Sequence, residues 1–263
     1  MDFNPLDLGR FAILLDVDGT ILELAETPHE VVVPETLRAT LARLRERVGG
    51  ALALVSGRPI ADLDYIFAPL QLAAIGGHGA EIRPTADGKT YEQRAESLNR
   101  ELKQRLKDMA ARSPGVGIED KGYSLALHYR LALEQGLDVV DGAFRTCKAF
   151  PPDSYELLTG KAVIEVKSPG FNKGTAVREL MEYPPFKGRT PIFIGDDVTD
   201  EAALEVMPEF DGLAFSVGRK VPGTDGRFAE PRDVRQWLDR ISRIEPAAPA
   251  AAAAPAVAIV AGE

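Results

Sequence analysis

The most informative pattern in the chain is Phe11-Ala12-Ile13-Leu14-Leu15-Asp16-Val17-Asp18-Gly19-Thr20. A short apolar run that ends in a turn signal predicts a fully buried strand of the kind found in parallel sheets. Ligands of open α/β sheets bind just beyond the carboxyl ends of such strands, where Asp16 and Asp18 lie. Two residues apart, these side chains point the same way and can converge as the chain turns at Gly19. Because adjacent carboxylates repel each other and are costly to desolvate, the pair predicts a hard divalent cation with oxygen ligands.

The same residues also fit a plain polar turn, since Asp-Gly is a common turn pair. The metal interpretation gains weight only if other strand ends carry matching chemistry.

Composition excludes several classes of function. The 263 residues are 45% hydrophobic and 27% charged, which is typical of a globular protein. This length is sufficient for two modest domains or for one large domain with an insertion. The net charge of -9 predicts no nucleic-acid partner and no binding to an anionic membrane surface. The single cysteine, Cys147, is expected to be a small, half-buried apolar residue rather than a nucleophile. No leader peptide and no membrane-length apolar run is found, so we expect a cytoplasmic protein, and we expect a monomer.

Apolar runs and amphipathic spacings alternate after the first strand. We predict helices at 34–48 and 59–67, and strands at 51–55 and 72–75. This alternation predicts an α/β fold with a doubly wound, Rossmann-like parallel sheet. Further strands are predicted at 117–121, 123–130, 155–159, 162–167, 191–194 and 214–217, and further helices at 92–111, 137–150, 173–181 and 234–244.

The pattern changes in the middle of the chain, where strands that read as hairpin pairs accompany two helices. This predicts a separate α+β unit at 83–167, inserted into a discontinuous core formed by 1–82 and 168–245. Residues 246–263 are mostly Ala and Pro with no repeating apolar face, so we expect a disordered tail.

Three more strand or helix ends carry chemistry that matches the first. Ser56 follows the second strand, Lys173 opens a helix, and Asp196 with Asp200 follows a later apolar run. Clustered carboxylates with a lysine and a hydroxyl suit phosphoryl transfer to a carboxylate nucleophile, because a metal offsets the repulsion between two anions and the lysine takes up developing charge. Each piece has a plain reading of its own, but their joint occurrence at strand and helix ends favours a real site.

At these residues the chain resembles the haloacid-dehalogenase-like (HAD) phosphatases, whose four motifs match Asp16–Thr20, Ser56, Lys173 and 195–197 in order. The resemblance implies a HAD core with an inserted cap and a catalytic set of Asp16, Asp18 and Lys173. In this set Asp16 is the nucleophile that forms an aspartyl-phosphate, and Asp18 is the general acid and then the base. It also implies Mg²⁺ held by Asp16, the backbone carbonyl of Asp18 and Asp196, with Asp200 in support.

Further motifs resemble the trehalose-6-phosphate phosphatase family. They are Ser56-Gly57-Arg58, His78-Gly79, Glu119-Asp120-Lys121-Gly122, His128-Tyr129-Arg130, Glu165 with Lys167, and Asn172-Lys173-Gly174. The resemblance implies trehalose 6-phosphate as the substrate, with Glu119, Lys121 and Glu165 of the cap gripping sugar hydroxyls, since carboxylates accept hydrogen bonds and a lysine donates them. The other expected substrate contacts are Ser56, Gly57, Arg58 and Arg130.

Several roles stay open on the sequence. Arg58 suits either a phosphate contact or a brace for one of the acids, and His78 and His128 suit structural roles equally well, so neither histidine joins the catalytic set. The chain departs from the family pattern at two places. Gly76-Gly77 precedes His78, where one bulkier or hydroxyl residue is expected. Residues 168–171 separate Lys167 from Asn172, where an arginine is often found. The alternatives are another capped sugar-phosphate phosphatase, acting on sucrose phosphate or glucosylglycerol phosphate, a phosphomutase, or a non-catalytic sugar-phosphate sensor.

Overall fold

A computed structural model describes residues 5–24, 31–89, 91–92, 95–160 and 162–244. The predicted tail at 246–263 lies outside the described residues. The strands are β1 Phe11–Leu15, β2 Leu52–Val55, β3 Ala73–Gly76, β4 Glu81–Arg83, β5 Tyr91–Glu92, β6 Gly117–Asp120, β7 Ser124–His128, β8 Glu156–Gly160, β9 Val163–Lys167, β10 Thr190–Gly195, β11 Leu213–Val217 and β12 Gly226–Phe228. The helices are α1 Glu35–Arg47, α2 Ile60–Phe67, α3 Arg100–Ala110, α4 Gly136–Cys147, α5 Lys173–Leu180, α6 Glu201–Leu204 and α7 Pro231–Arg243.

The larger sheet has eight strands in the order β12-β11-β10-β1-β2-β3-β4-β5. Its six strands from β12 to β3 run parallel, and β4 and β5 are added antiparallel. Every residue of β1 and β2 is buried, as expected of strands covered on both faces. The parallel α/β prediction is therefore confirmed.

The register of the central strands fixes where the site lies. Leu15 is paired with Ile194 on one side and with Leu54 on the other. The chain segments after β1, β2 and β10 therefore leave the sheet at the same edge, which is where parallel sheets of this type bind ligands.

A smaller antiparallel sheet, in the order β6-β7-β9-β8, is formed by part of the middle of the chain. Helices α3 and α4 pack against it around a second hydrophobic cluster that includes Leu106, Leu125 and Ile164. This cluster is distinct from the one around β1, so the described residues form two hydrophobic cores.

Three element predictions need correction. The larger sheet continues past residue 82, because Arg83 and the short strand β5 pair with it. Helix α3 begins at Arg100 rather than at 92, because the Asn99 side chain accepts the N–H groups of Glu101 and Leu102 and so caps the helix there. Strands β4, β5 and β12 and helix α6 were not predicted. The division into a core and a cap stays a prediction.

Among the described residues, the helices are too short or too polar to span a bilayer.

Candidate active site

A buried lysine connects two acids at the carboxyl edge of the larger sheet. Lys173 is the first residue of α5, whose start is fixed by a capping box between Asn172 and Thr175. Its Nζ lies 2.8 Å from Asp16 Oδ1 and 2.6 Å from Asp200 Oδ1. All three side chains are almost completely buried. The structure therefore brings these three predicted site residues together.

Burial and charge set the ionisation of this group. Burial, followed by the negative charge of Asp200, raises the pKa of Asp16 well above its usual value, and Lys173 offsets this only in part. Burial alone would lower the pKa of Lys173, but the charges of Asp16 and Asp200 outweigh it and raise the pKa. Lys173 is therefore a fixed positive charge, while the ionised form of Asp16 needs a further cation.

Gly19 lets Asp196 approach the turn after β1. It adopts a φ of +88°, and a Cβ atom there would lie 2.3 Å from Asp196 Oδ2. A side chain at this position would both strain the backbone and displace the carboxylate. The glycine of the opening stretch thus positions the acid from β10 beside Asp16.

Three carboxylates could hold a divalent cation. Oxygens of Asp16, Asp196 and Asp200 lie within 4.8 Å of one another, and all three residues are buried. Asp16 Oδ2 is buried and has no hydrogen-bond partner among the described residues. Asp200 is already engaged, because its Oδ1 accepts from Lys173 and its Oδ2 accepts from the N–H groups of Asp196 and Asp197. The orphaned oxygen and the all-oxygen donor set fit a hard cation on Asp16 and Asp196, with Asp200 orienting the loop.

The Asp18 side chain has a different partner from the one expected. Its oxygens accept from Arg58 Nε at 2.6 Å and from a terminal nitrogen of Arg58 at 2.7 Å. The carboxylate lies outside the group of three acids, so Arg58 neutralises it rather than a cation shared with Asp16. The sequence left Arg58 as either a phosphate contact or a brace for an acid. In the structure Arg58 braces the Asp18 carboxylate.

A cavity of about 480 Å³ brings residues of both sheets together. The predicted site residues that line it are Asp16, Asp18, Ser56, Gly57, Arg58, Glu119, Lys121, Arg130, Glu165, Lys173 and Asp196. Asp200 is fully buried and does not line the cavity. Residues from strand ends of one sheet and from the face of the other thus share one space.

The wall formed by the smaller sheet carries a lysine between two glutamates. Lys121 Nζ lies 3.4 Å from Glu165 and 3.8 Å from Glu119. Burial alone would raise the pKa of Glu165, but Lys121 and His78 outweigh it and lower the pKa, so this buried acid is ionised. The pKa of Glu119 is also lowered, because a hydrogen bond from His128 and the charge of Lys121 outweigh burial. This wall offers both charged acceptors and a charged donor to a polar ligand.

Sequence reasoning missed Arg219. Its guanidinium donates to the carbonyls of Asp196 at 2.9 Å and Asp197 at 2.7 Å, and to Glu201 at 2.7 Å. It therefore fixes the loop that presents Asp196. The only signal in the sequence was its position two residues after β11, at the ligand-binding edge of the sheet.

The trehalose-phosphatase family model matches residues 14–231. A probable trehalose-phosphate phosphatase from Sinorhizobium fredii is 41% identical over 225 residues, covering 86% of this chain and 84% of the relative. The trehalose-6-phosphate phosphatase of Escherichia coli is 36% identical over 235 residues, covering 89% and 87%.

Solved structures have the same fold. A trehalose-6-phosphate phosphatase related protein aligns with a TM-score of 0.71 at 27% identity, over 88% of this chain and 96% of its own. The C-terminal domain of the Candida albicans trehalose-6-phosphate phosphatase aligns with a TM-score of 0.80 at 22% identity, over 90% and 95%. The second of these likenesses concerns the fold alone.

Proposed function

The chain belongs to the trehalose-phosphatase family, and from that premise we propose that it hydrolyses trehalose 6-phosphate to trehalose and inorganic phosphate. One observation carries the proposal: a single cavity is lined by phosphoryl-transfer residues on one side and by a glutamate–lysine–glutamate set on the other. A sugar phosphate needs both kinds of wall, and a smaller phosphate ester needs only the first.

Asp16 is the nucleophile in this proposal. It attacks phosphorus, and the bond between phosphorus and the sugar oxygen breaks as Asp18 donates a proton to that oxygen. Asp18, now ionised, takes a proton from the water that then opens the aspartyl-phosphate. The two hydrogen bonds from Arg58 hold the Asp18 side chain in place, and so orient the carboxyl group that donates and then accepts the proton.

Lys173 supplies a permanent positive charge beside the nucleophile. Its ammonium group is held by Asp16 and Asp200 and stabilises negative charge on the transferring phosphoryl group. Ser56 and the backbone around Gly57 line the same end of the cavity and contact the phosphate.

Members of the HAD superfamily use a divalent metal, and we propose Mg²⁺ for this chain, held by Asp16 and Asp196, with the carbonyl of Asp18 as a further ligand. When bound, the ion neutralises the buried carboxylates and the phosphate charge. Treatment with a chelator is expected to abolish phosphate release, and added Mg²⁺ to restore it. Undiminished turnover with excess chelator would reject the metal site.

The sugar is held by Glu119, Lys121 and Glu165, with Arg130 at the same wall. Carboxylates accept hydrogen bonds from sugar hydroxyls, and the ammonium group donates one. The strand β6 provides a matched control, because Asp120, between Glu119 and Lys121, points instead to Lys103 and Lys107 of α3.

The test is the release of phosphate from a panel of trehalose 6-phosphate, sucrose 6-phosphate, glucosylglycerol phosphate and glucose 6-phosphate. The expected result is the highest kcat/KM for trehalose 6-phosphate. Glu119→Gln and Lys121→Met should each reduce that value by about 10-fold or more, because a charged hydrogen bond is lost, while Asp120→Asn should not. A higher kcat/KM for another member of the panel would reject the substrate assignment, and return of the phosphoryl group to the sugar would reject hydrolysis. The monomeric state and the cytoplasmic location stay predictions.

A further inference from the structure

His78 lies in an unusual piece of backbone between β3 and β4. Gly77, His78 and Gly79 have φ values of +56°, +57° and +107° in succession. A side chain at 77 would place its Cβ 2.0 Å from the Tyr123 hydroxyl, and one at 79 would place it 2.4 Å from the Asn172 carbonyl oxygen. A left-handed conformation is uncommon for a residue with a side chain. Strained backbone of this kind occurs preferentially at functional sites. The surrounding glycines therefore hold a histidine where glycine or asparagine would cost less.

The ring crosses from the larger sheet to the smaller one. Nε2 lies 3.1 Å from Glu165 Oε2, and because an ionised carboxylate only accepts, Nε2 donates. The ring lies against Gly57, where a Cβ would be 2.4 Å from Nε2. Its Nδ1 is buried without a hydrogen-bond partner among the described residues. Only one ring nitrogen of His78, Nε2, therefore makes a hydrogen bond among the described residues, and its partner is Glu165.

Glu165 does not depend on His78 alone. It also accepts from Ser124 Oγ at 2.5 Å and from Lys121 Nζ at 3.4 Å. Lys121 in turn donates to the Gly57 carbonyl at 3.0 Å. The pair formed by Glu165 and Lys121 is therefore tied to the larger sheet at two points, His78 and Gly57, and both lie next to the phosphate end of the cavity.

We propose that His78 is a positioning residue, which orients Glu165, and through it Lys121, toward the sugar hydroxyls of the substrate. The inference rests on the proposed function and adds a residue to it. Without the imidazole, Glu165 keeps its partners within the smaller sheet but loses its direct tie to the larger sheet. The sugar-binding groups then lose their register with the phosphate-binding groups, and binding of the sugar weakens while binding of phosphate does not.

Three substitutions separate the contact from the backbone. In His78→Gln the amide nitrogen lies as many bonds from the backbone as Nε2 does, so it can reach Glu165. In His78→Asn the amide is one bond shorter and tolerates the left-handed conformation, and His78→Gly removes the strain altogether. We expect kcat/KM for trehalose 6-phosphate to fall about 10- to 100-fold in the Asn and Gly variants, mainly through KM, and to fall only a few-fold in the Gln variant.

Two readouts distinguish positioning from mere structure. The inhibition constant of inorganic phosphate should be unchanged in all three variants, because the phosphate end of the cavity is intact. In a Glu165→Gln background, His78→Asn should cause little further loss, since the partner of the contact is already altered. Circular dichroism and thermal melting confirm that the variants compared are folded.

Two results would overturn the role of His78: activity of the Asn and Gly variants equal to wild type, or equal loss in all three variants accompanied by weaker phosphate inhibition. Full additivity with Glu165→Gln would also reject a role through Glu165. These outcomes differ from failure of the proposed function, in which the wild-type chain itself releases no phosphate from trehalose 6-phosphate.

Discussion

At the scale of single residues, the site depends on where buried charge is balanced and where it is not. Lys173 lies within 2.8 Å of two carboxylates, which satisfies the lysine but leaves the group of Asp16, Asp196 and Asp200 with excess negative charge. A buried excess of this kind is costly to keep without a further cation. The Mg²⁺ proposed above would offset this excess of negative charge beside Asp16.

Asp16→Asn tests the nucleophile. The amide keeps the size of the side chain but cannot form an aspartyl-phosphate, so phosphate release should fall by at least about 10³-fold while the fold is retained. The measurements are phosphate release and far-ultraviolet circular dichroism. Asp141→Asn, an exposed acid paired with Arg145 on α4, serves as the control and should be fully active. Near-normal turnover by Asp16→Asn would refute the assignment.

Asp120 provides a stability prediction with a defined pH dependence. Burial alone would raise its pKa, but Lys107, the N–H of Gly122 and Lys103 outweigh it and lower the pKa to about 2. The pKa of Asp120 in the folded protein is below the unfolded value of about 3.9. The contribution of its ion pairs to the free energy of unfolding is therefore present above pH 4 and is lost as the pH falls toward 2. Asp120→Asn should therefore reduce the free energy of unfolding by about 1 kcal/mol at pH 7 and by progressively less below pH 4.

Urea denaturation of both proteins at pH 7 and pH 3 measures this difference. Asp141→Asn is again the control, because an exposed i,i+4 pair contributes no more than about 0.5 kcal/mol. A difference that stays constant between pH 7 and pH 3 would mean that the ion pairs of Asp120 are not its source.

At the scale of elements, the loop after β10 is held by its own Asp200 and also by a residue from outside the loop. Arg219, which follows β11, binds two carbonyls of that loop and the Glu201 side chain. Groups that orient a metal ligand typically contribute 10- to 100-fold to metal affinity. Arg219→Met should therefore raise the Mg²⁺ concentration needed for half-maximal activity by about 10-fold. Arg232→Met, which breaks an exposed ion pair with Glu230, should leave that Mg²⁺ concentration unchanged. If both variants need the same Mg²⁺ concentration for half-maximal activity, Arg219 does not support the metal site.

The elements also mark how far sequence reasoning reaches. Continuous apolar runs such as β1 and β2 are predicted because burial on both faces leaves a strong local signal. Strand β5 has only two residues and strand β12 three, too few for any periodicity, and they form because a neighbouring strand offers hydrogen bonds. Their place is a property of the sheet rather than of their own residues.

The site divides in the same way. Asp16 and Lys173 were predictable because they lie at the ends of strongly patterned elements. The pairing of Arg58 with Asp18 joins residues 40 positions apart, and the contact of His78 with Glu165 joins residues 87 apart. Such contacts depend on how two sheets meet, and no local pattern encodes them. Residue types thus indicated the chemistry, while the partner of each side chain had to come from the structure.

At the scale of the whole molecule, the two hydrophobic clusters are the dominant feature. One surrounds the larger sheet, and a smaller one lies between the second sheet and helices α3 and α4. Each cluster has its own sheet and its own helices, so each can be stable with few contacts to the other. A protein built this way need not unfold in one step.

Differential scanning calorimetry should therefore resolve two transitions. Leu106→Ala, in the smaller cluster, should lower only the midpoint temperature of the transition that belongs to the smaller sheet. Leu41→Ala, in the larger cluster, should lower only the midpoint temperature of the other transition. Both leucines are fully buried, so each substitution should cost about 2–5 kcal/mol within its own unit, and the two variants act as controls for each other. A single transition that both variants lower equally would mean that the two clusters fold as one unit.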